Sequence, residues 1–544
     1  MISRGPAIGS TTLAMLVAAW LLFLTNHTFW TKISSVLSDQ PICLALLGLM
    51  LFLLYFAVLL VFSAPYIIKP IYIFAIWVAA AASYFTDKFG IMVDRDMIQN
   101  VAQTNGAESS HLLTTNLAMH LLILGVLPTL AVLWVRIVHL PIWQKVRRNT
   151  VVIVGCLAVC AGVIAVNSRT FIPLWQHQRE TTMSYLNPAM AFIGTIDYAQ
   201  RQMRDINIVA GPYGRDAKQG PRIAASPKKM LTVIVVGETA RAQNFSLNGY
   251  ARDTNPELKA RDVFAFQNVT SCGTATAVSL PCMFSHIGHD NYSRRAALSS
   301  ENLVDVLQHA GLKVEWWENN TGPKSVADRI PTVTMSETGD NALCTNGECL
   351  DEILVKRLRE HIADFKDNSV LVVHTMGSHG PAYFQRYEPG FEKFKPACQT
   401  PELSECSSAE LVNAYDNSIL YTDHILASII DVLKEHSGEF ASSIIYMSDH
   451  GESLGEDGVY LHGAPYAIAP DTQTHIPFIA WMSDDFATTN GLDTACIRGK
   501  AGDRFSHDNL FDTVLGMMDI QTSVYNRTLD AFASCRKPDQ TASR

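Results

Sequence analysis

Three short apolar stretches of this 544-residue chain are each followed by carboxylate or imidazole side chains. They are Leu231–Gly237 before Glu238, Ser369–His374 before His379, and Ser443–Ser448 before Asp449 and His450. Such β-branched runs are typical of strands buried on both faces of a sheet. In an open α/β sheet the carboxyl ends of the strands meet at one edge, where ligands bind. We therefore expect these side chains to converge, and their mixture suits a divalent metal such as zinc. Taken singly, each is equally well explained as a helix cap or turn residue.

A second group of reactive side chains lies in the stretch 271–283, SCGTATAVSLPCM. Small residues and Gly273 allow a tight turn into a helix N-terminus, whose unpaired N–H groups favour a phosphate. A hydroxyl at such a site is a nucleophile if a bound metal lowers its pKa. Thr274 and Thr276 both fit this description, and both also fit a plain helix N-cap. The residues alone do not choose between them.

Two further polar residues lie in glycine-containing loops. Lys324 follows Gly322-Pro323 and is either a solvated lysine or a phosphate contact. His462 precedes Gly463 in the stretch GVYLHG, where a ligand or substrate contact is favoured over a core residue.

Composition and cysteine positions restrict the class of protein. The length suggests two or three domains, and a net charge of −9 without a basic cluster excludes a nucleic-acid partner. An even number of cysteines beyond residue 270 is typical of disulfides in an oxidising compartment. No C-x-x-C pair supports a thiolate zinc site instead. The eight late cysteines are Cys272, Cys282, Cys344, Cys349, Cys398, Cys406, Cys496 and Cys535.

The first third of the chain is apolar and predicts a membrane anchor. Five segments approach the length needed to span a bilayer, at about 12–25, 42–62, 71–85, 117–135 and 151–166. The first has no clean cleavage site and is interpreted as an uncleaved anchor. The flanking basic residues that the positive-inside rule assigns to the cytoplasm are Arg4, Lys69, Arg136, Lys145, Arg147 and Arg148. Five spans then place the chain beyond about residue 167 in the periplasm of an inner-membrane protein.

The sequence thus predicts three regions. A bundle of five transmembrane helices occupies 1–168, a linker with interfacial helices occupies 169–229, and a periplasmic catalytic domain occupies 230–544. The catalytic domain is expected to be α/β, with a mostly parallel central sheet flanked by helices. Within the linker we expect an interfacial helix near 190–204. The polar loop 87–116 is expected to be a solvated connector.

At these motifs the sequence resembles the lipid A phosphoethanolamine transferases, a family of the alkaline phosphatase and sulfatase superfamily that includes the acquired polymyxin-resistance enzymes. The resemblance covers most of residues 231–463, and the five-span anchor matches as well. The matching stretches are VGETAR, NGYARDT, SCGTATAVSLPCMFS, HTMGSHGPAYFQRY, NAYDNSILYTD, SDHGESLGE and GVYLHG. SDHGE by itself is typical of the whole superfamily, whereas the combination is specific to the family.

The resemblance implies a zinc ion held by four residues, one of which is the nucleophile. These are Glu238, Thr276, Asp449 and His450, with Thr276 as the nucleophile. The resemblance thereby selects one of the two threonines.

It also implies roles for residues around the transferred group. His379 and His462 lie beside that group and are candidate ligands of a second zinc, and Lys324 contacts a substrate phosphate. The positions that match the family's lipid-binding residues are Asn100, Thr104 and Glu108. The implied disulfide pairs are Cys272–Cys282, Cys344–Cys349 and Cys398–Cys406, with Cys496–Cys535 as a fourth that only some members have.

The implied activity moves phosphoethanolamine from phosphatidylethanolamine to a phosphate of lipid A through a covalent threonine adduct, by a protein expected to be monomeric. Loss of negative charge from the envelope would give polymyxin resistance. The alternatives are a membrane sulfatase, a lipoteichoic-acid-type glycerophosphate transferase and a catalytically inactive scaffold. A sulfatase usually has Cys or Ser in C/S-x-P-x-R, which Thr276-Ala277-Val278 does not provide. A scaffold has no need for four metal ligands.

Overall fold

The computed structural model of the protein describes residues 5–104, 106–178 and 182–537. The chain divides into two compact units, which are described separately. The first unit comprises Met1–Ala102 and Leu112–Met203, and the second comprises Gln103–His111 and Arg204–Arg544. The domain boundaries inferred from the sequence stay predictions.

The first unit contains the helices that are long and apolar enough to cross a membrane. Four are found in the described part of the chain, and a pair bent by 68° makes a fifth if it counts as one span. The four are Pro41–Val61, Ile68–Phe89, Thr115–Trp134 and Ile142–Val166, and the bent pair is Ser10–Leu24 with His27–Val36. The last helix begins nine residues before the predicted apolar segment, because its first turns carry the basic residues that precede the hydrocarbon region.

Side-chain hydrogen bonds hold the bend in the first of these helices. Thr25 Oγ1 and Asn26 Nδ2 both donate to the Leu21 carbonyl at 2.7 Å. Asn26 also forms a reciprocal pair with Asn187, because its Nδ2 donates to the Asn187 carbonyl at 2.7 Å and its Oδ1 accepts from the Asn187 N–H at 2.7 Å. These bonds satisfy backbone groups that a broken helix leaves open in an apolar medium.

The connecting segments contain more helix than the sequence indicates. The loop expected to be a solvated connector forms the helices Arg95–Gln103 and Gly106–Leu112. Asp94 Oδ1 accepts from the Met97 N–H at 2.9 Å, a side-chain cap at the start of the first of them. Later helices are Ser168–Gln178, Ala189–Asp205, which occupies the position predicted for an interfacial helix, and Pro221–Ala224.

The second unit is built on a seven-stranded sheet, whose strands we number β1–β7 in chain order. They are β1 Lys229–Gly237, β2 Phe264–Phe266, β3 Lys313–Glu318, β4 Thr332–Thr334, β5 Ser369–His374, β6 Phe440–Ser448 and β7 Phe478–Met482. Their order in the sheet is β2-β7-β6-β1-β5-β3-β4, and only β7 runs antiparallel to its neighbours. The predicted α/β class with a mostly parallel sheet is confirmed.

Helices flank this sheet, and the longest is Ser408–Glu435. It begins at a capping box in which Ser407 and Glu410 each accept from the other's backbone N–H. Most residues of this helix are buried, as are nearly all residues of β1, β5 and β6. The other helices of seven residues or more are Thr276–Met283, Leu303–His309, Glu352–His361, Asp484–Asn490 and Asp508–Met517.

Four disulfide bonds lie in the second unit, whereas the unpaired thiols lie in the first. The bonds are Cys272–Cys282, Cys344–Cys349, Cys398–Cys406 and Cys496–Cys535, the pairs that the resemblance implies. The free thiols are Cys43, Cys156 and Cys160. The bond Cys272–Cys282 encloses the turn that carries both candidate threonines.

Candidate metal centre and active site

The ends of β1 and β6 bring three acidic and imidazole side chains together. Gly237 is paired with Ser448 in the parallel register of these strands. The residue that directly follows each strand, Glu238 or Asp449, is acidic. One potential ligand atom from each of Glu238, Asp449 and His450 lies within 4.8 Å of the others. All three side chains are fully buried. The imidazole expected from the end of β5 is not part of this group of three.

Two glycines allow the backbone to close around Glu238. A Cβ on Gly237 would lie 2.5 Å from the Tyr446 hydroxyl. Gly377, in the loop after β5, has φ +54°, and a Cβ there would lie 2.7 Å from the Glu238 carbonyl oxygen. Because Gly377 has no side chain, the loop after β5 packs directly against the backbone of Glu238, while Gly237 leaves room for the Tyr446 side chain.

Thr276 faces this group of ligands from the first residue of the helix Thr276–Met283. Its Oγ1 donates toward Glu238 Oε2 at 3.1 Å and lies 3.4 Å from His450 Nε2. The hydroxyl is thus within direct reach of both a carboxylate and an imidazole of the centre.

Thr274 has a different environment, although it lies only two residues away. Its hydroxyl donates to the Ala464 carbonyl at 2.6 Å, and its own carbonyl accepts from the Gly463 N–H at 2.8 Å. Thr274 therefore holds the loop that carries His462, while Thr276 faces the carboxylates.

The donor atoms of the centre fit a divalent metal. His450 Nδ1 lies 2.9 Å from the Gly451 carbonyl, which can only accept, so in neutral His450 the other nitrogen, Nε2, presents a lone pair. Nε2 lies 3.5 Å from Glu238 Oε1 and 3.3 Å from Asp449 Oδ2. Asp449 Oδ2 is buried without a hydrogen-bond partner in the described part of the chain. Buried acceptors that outnumber the donors need a cation, and carboxylate with imidazole suits zinc.

Burial also shifts the titration of these groups. It raises the pKa of Glu238 well above its usual value, and the Asp449 carboxylate raises this pKa further. Asn320 Nδ2 opposes the shift in pKa by donating to Glu238 Oε2 at 2.8 Å. Burial lowers the pKa of His450, which favours the neutral imidazole that a metal requires. A bound cation would keep the carboxylates ionised despite their burial.

His462 lies beside the centre, 4.4 Å from His450 between ring centroids. Its Nδ1–H donates to Glu452 Oε2 at 2.8 Å. The buried Glu452 also accepts from the Tyr383 hydroxyl. Because Glu452 holds the proton on Nδ1, the basic lone pair of neutral His462 is on Nε2.

His379 is also close, with 5.9 Å between its ring centroid and that of His462. Burial lowers the pKa of His379 well below its usual value, and the Arg386 charge adds to this effect on the pKa. His379 is therefore neutral at physiological pH, a state in which it can bind a cation.

Lys324 lies in the loop that follows β3, four residues after Asn320. The Asn320 backbone N–H donates to Glu318 Oε1 at 2.7 Å. This bond helps to position Asn320, whose side-chain amide contacts Glu238. Lys324 has a left-handed φ of 49°, and its Nζ donates to the Thr321 carbonyl at 2.8 Å.

The three candidate lipid-binding residues are not part of this centre. Asn100 lies on the helix Arg95–Gln103 of the first unit, and Thr104 follows that helix in a segment assigned to the second unit. The backbone of Glu108 lies in the helix Gly106–Leu112, but its side chain is outside the described part of the structure.

The segment Gln103–His111 makes a polar contact within the second unit. His111 Nε2 lies 3.2 Å from Glu348 Oε2, which also accepts from Arg386 Nη1 at 2.9 Å. Arg386 Nε donates to the His379 carbonyl at 2.8 Å. The sequence alone indicates no role for Glu348 or Arg386. The two residues lie far apart along the chain, and no motif or regular spacing predicts that they meet.

Family models match both parts of the chain. A model described as Sulfatase matches residues 231–520. A model described as Phosphoethanolamine transferase EptA/EptB matches residues 50–203.

Known proteins match over nearly the whole length. The chain is 38% identical over 543 residues to Phosphoethanolamine transferase EptA of Escherichia coli strain K12, covering 98% of each chain. It is 37% identical over 534 residues to Phosphatidylethanolamine transferase Mcr-1 of Escherichia coli, covering 93% of this chain and 95% of that one. The solved structure of the integral membrane protein lipooligosaccharide phosphoethanolamine transferase A (EptA) from Neisseria meningitidis matches with a TM-score of 0.94, at 35% identity, covering 98% of this chain and 100% of that one.

These matches agree with the apolar helices of the first unit and the sulfatase-like sheet of the second. The chain is an integral inner-membrane protein with its catalytic domain in the periplasm, as the sequence predicts. It belongs to the phosphoethanolamine transferase family.

Proposed function

We propose that the protein transfers phosphoethanolamine from phosphatidylethanolamine to a phosphate group of lipid A, with Thr276 as the nucleophile. The names of its relatives support the transferred group and the class of donor. A more distant relative, 27% identical over 471 residues, is called Kdo(2)-lipid A phosphoethanolamine 7''-transferase, which supports the acceptor. The observation that carries the proposal is the Thr276 hydroxyl directed at Glu238 and His450.

The residues that would hold zinc are Glu238, Thr276, Asp449 and His450. Zinc at this centre supplies positive charge that lowers the pKa of a coordinated hydroxyl and polarises a phosphoryl group. The ligands proposed for a second zinc during turnover are His379 and His462. Glu452 supports this assignment, because it accepts a hydrogen bond from the His462 Nδ1–H and so places the lone pair of the neutral ring on Nε2.

The reaction then has two displacements at phosphorus. In the first, Thr276 Oγ loses its proton and forms a bond to the phosphorus of phosphatidylethanolamine, while the bond to the diacylglycerol oxygen breaks. Diacylglycerol leaves as the alcohol after taking up one proton. In the second, an oxygen of a lipid A phosphate attacks the same phosphorus, the bond to Thr276 breaks and the threonine regains its proton.

Charged and polar residues of the chain stabilise the phosphoryl oxygens in both steps. Lys324 contributes a cation, and Asn320 orients the Glu238 carboxylate. Thr276 lies in the first turn of its helix, where backbone N–H groups that lack helical partners favour a phosphate.

The product explains a role in the envelope. Each transfer adds an ammonium group and one phosphodiester anion, whose charges cancel, while the new P–O–P bond removes one ionisable oxygen from the lipid A phosphate, so the net negative charge falls. Cationic polymyxins then bind the surface less strongly, and the cell becomes resistant. We expect the protein to act as a monomer in this reaction.

The covalent adduct provides the test. Incubating the purified protein with phosphatidylethanolamine and no acceptor should leave one phosphoethanolamine group on the peptide 271–283, and fragmentation should assign it to Thr276. Thr276→Ala should abolish the adduct and reduce transfer about 10³-fold or more. Thr274→Ala is the matched control, and it should keep the adduct and part of the activity, because this hydroxyl contacts only a loop carbonyl.

Four outcomes would contradict the proposal. An adduct on Thr274, or transfer surviving in Thr276→Ala, would show that another residue is the nucleophile. Transfer without any adduct after rapid quenching would favour direct attack by the lipid A phosphate. Labelling from phosphatidylglycerol instead of phosphatidylethanolamine would indicate a glycerophosphate transferase.

A further inference from the structure

The first unit contains a pocket of about 580 Å³, which we call the basic pocket. This volume falls within the range of roughly 300–1,000 Å³ that is typical of ligand sites. It is lined by Gly5, Pro65, Tyr66, Ile68, Lys69, Trp134, Val135, Arg136, Ile137 and His139. No residue of the catalytic centre takes part in it.

Backbone contacts build one wall of the basic pocket. The strand Ala7–Gly9 pairs in parallel with Arg136–Val138, and the Arg136 N–H donates to the Pro6 carbonyl at 3.0 Å. A Cβ on Gly5 would lie 2.4 Å from the Trp134 carbonyl oxygen, so only glycine permits this close approach. The segment 5–9 is therefore fixed against the connection between two membrane helices.

Lysine side chains fix the other polar groups around the pocket. Lys69 Nζ donates to the carbonyls of Leu133 and Val135 at 2.8 and 2.7 Å, which brings its charge to the end of a helix. Lys145 Nζ donates to His139 Nδ1 at 2.9 Å. Because a lysine ammonium can only donate, neutral His139 carries its proton on Nε2 and is itself a donor there.

The charge of the basic pocket is not balanced by acidic residues. Lys69 and Arg136 are among the described lining residues, which include no aspartate or glutamate. The sequence has no acidic residue between positions 40 and 86 or between 109 and 179. The Arg136 guanidinium has no hydrogen bond or ion pair within the described part of the chain. Burial and the Lys145 charge lower the pKa of His139, consistent with a neutral donor.

Aromatic side chains place the basic pocket at the level of lipid head groups. Trp134 is the last residue of the membrane helix Thr115–Trp134, and Tyr66, which is 96% exposed, precedes the helix Ile68–Phe89. Tryptophan and tyrosine are enriched at this depth in membrane proteins. The positive-inside rule assigns these basic connections to the cytoplasmic side.

We propose that the basic pocket binds the head-group phosphate of an anionic glycerophospholipid from the cytoplasmic leaflet. Arg136 and the Nε2–H of His139 contact the phosphate oxygens, and Lys69 adds positive charge. The acyl chains lie along the apolar lining residues and the adjoining membrane helices. The site is separate from the transfer reaction and does not depend on the proposed substrate.

Native mass spectrometry of the full-length protein tests the site. Protein from nanodiscs that contain equal amounts of phosphatidylglycerol and phosphatidylcholine should retain one phosphatidylglycerol in preference. Arg136→Gln should weaken this retention by roughly fivefold, as expected for one basic residue at a membrane surface. Arg147→Gln is the matched control, because Arg147 is exposed, belongs to the same basic region and does not line the pocket. It should change retention by less than about twofold.

Several results would overturn the proposal. Equal losses in Arg136→Gln and Arg147→Gln would show that only general surface charge attracts the lipid. The same conclusion would follow from wild-type protein without a preference for phosphatidylglycerol. Displacement of the lipid by inorganic phosphate would indicate a site for a free anion. If Arg136→Gln lowers the melting temperature, Arg136→Lys decides the matter, because a retained charge should preserve most of the binding and a failure to do so would contradict the site.

Discussion

The candidate metal centre, formed by Glu238, Asp449 and His450, and the basic pocket have opposite kinds of unbalanced charge. The metal centre collects buried acceptors, including an Asp449 oxygen that has no donor in the described part of the chain. The basic pocket collects cations, and none of its described lining residues is acidic. The excess of negative charge and acceptors at the metal centre is evidence of a bound cation. The excess of positive charge at the basic pocket is evidence of a bound anion.

The two regions differ in how strongly that charge acts. Glu238, Asp449 and His450 are fully buried, where interactions between charges are strong and poorly screened. Arg136 is exposed at a membrane surface, where mobile ions screen its field within about 10 Å. Burial therefore sets how strongly a change of charge affects ligand binding, and we expect larger effects at the buried carboxylates than at the exposed basic residues.

The largest effect is expected at the metal centre. Asp449→Asn replaces a buried carboxylate ligand with an amide, so zinc affinity and transfer should both fall by about 100-fold or more, since even residues that only support a ligand contribute 10- to 100-fold. Chelator competition measures the affinity, and lipid mass spectrometry measures the transfer. Asp503→Asn, which changes an exposed carboxylate in a surface turn, should leave both unchanged. Undiminished zinc affinity in Asp449→Asn would remove the basis for the centre.

A smaller effect is expected on the stability of metal-free protein. Because the pKa of Glu238 is raised in the folded state, its protonated form stabilises the fold below its ordinary pKa of 4.5. That contribution is lost as the pH rises through the folded-state pKa. Metal-free protein should therefore melt at a higher temperature near pH 5 than near pH 8, and Glu238→Gln should reduce this difference.

Thermal unfolding in detergent, with a chelator present, measures this dependence on pH. Added zinc should restore stability at pH 8 in the wild type but not in Glu238→Gln. An unchanged pH dependence in the glutamine variant would show that Glu238 is not the group responsible.

The smallest effect separates the two regions by their response to salt. Raising the salt concentration from about 0.05 to about 0.5 M should weaken phosphatidylglycerol retention severalfold, while zinc affinity changes by less than about twofold. The two measurements use the same preparation. Equal salt sensitivity would contradict the difference in burial on which the comparison depends.

Much of the metal centre was predictable because parallel strands end together. The positions of Glu238, Asp449 and His450 follow from two apolar runs and the rule that ligands meet strand ends. The choice between Thr274 and Thr276 did not follow, because it depends on which hydroxyl the Cys272–Cys282 turn directs inward. The Thr274 hydroxyl, for example, is bound to the carbonyl of Ala464, 190 residues away.

The residues that support the ligands were beyond sequence reasoning. Asn320 and Glu452 contact the centre through loops, whose conformations have no periodic pattern to follow. The loop 87–116 was expected to be a solvated connector. It contains helices instead, and the first of them begins at a local side-chain cap. The basic residues near Lys69 and Arg136 indicated only the membrane orientation, because the pocket depends on pairing with the N-terminal strand.

The reciprocal pair of Asn26 and Asn187 has a consequence for biosynthesis. The Asn26 side chain lies at the bend that follows the first helix, whereas the backbone groups of Asn187 that it contacts lie beyond the last of the membrane helices. During translation, Asn26 therefore cannot form these two hydrogen bonds until the 161 residues up to Asn187 have been added. A nascent chain that stops before Asn187 would hold the bend only by the local bonds from Thr25 and Asn26 to the Leu21 carbonyl.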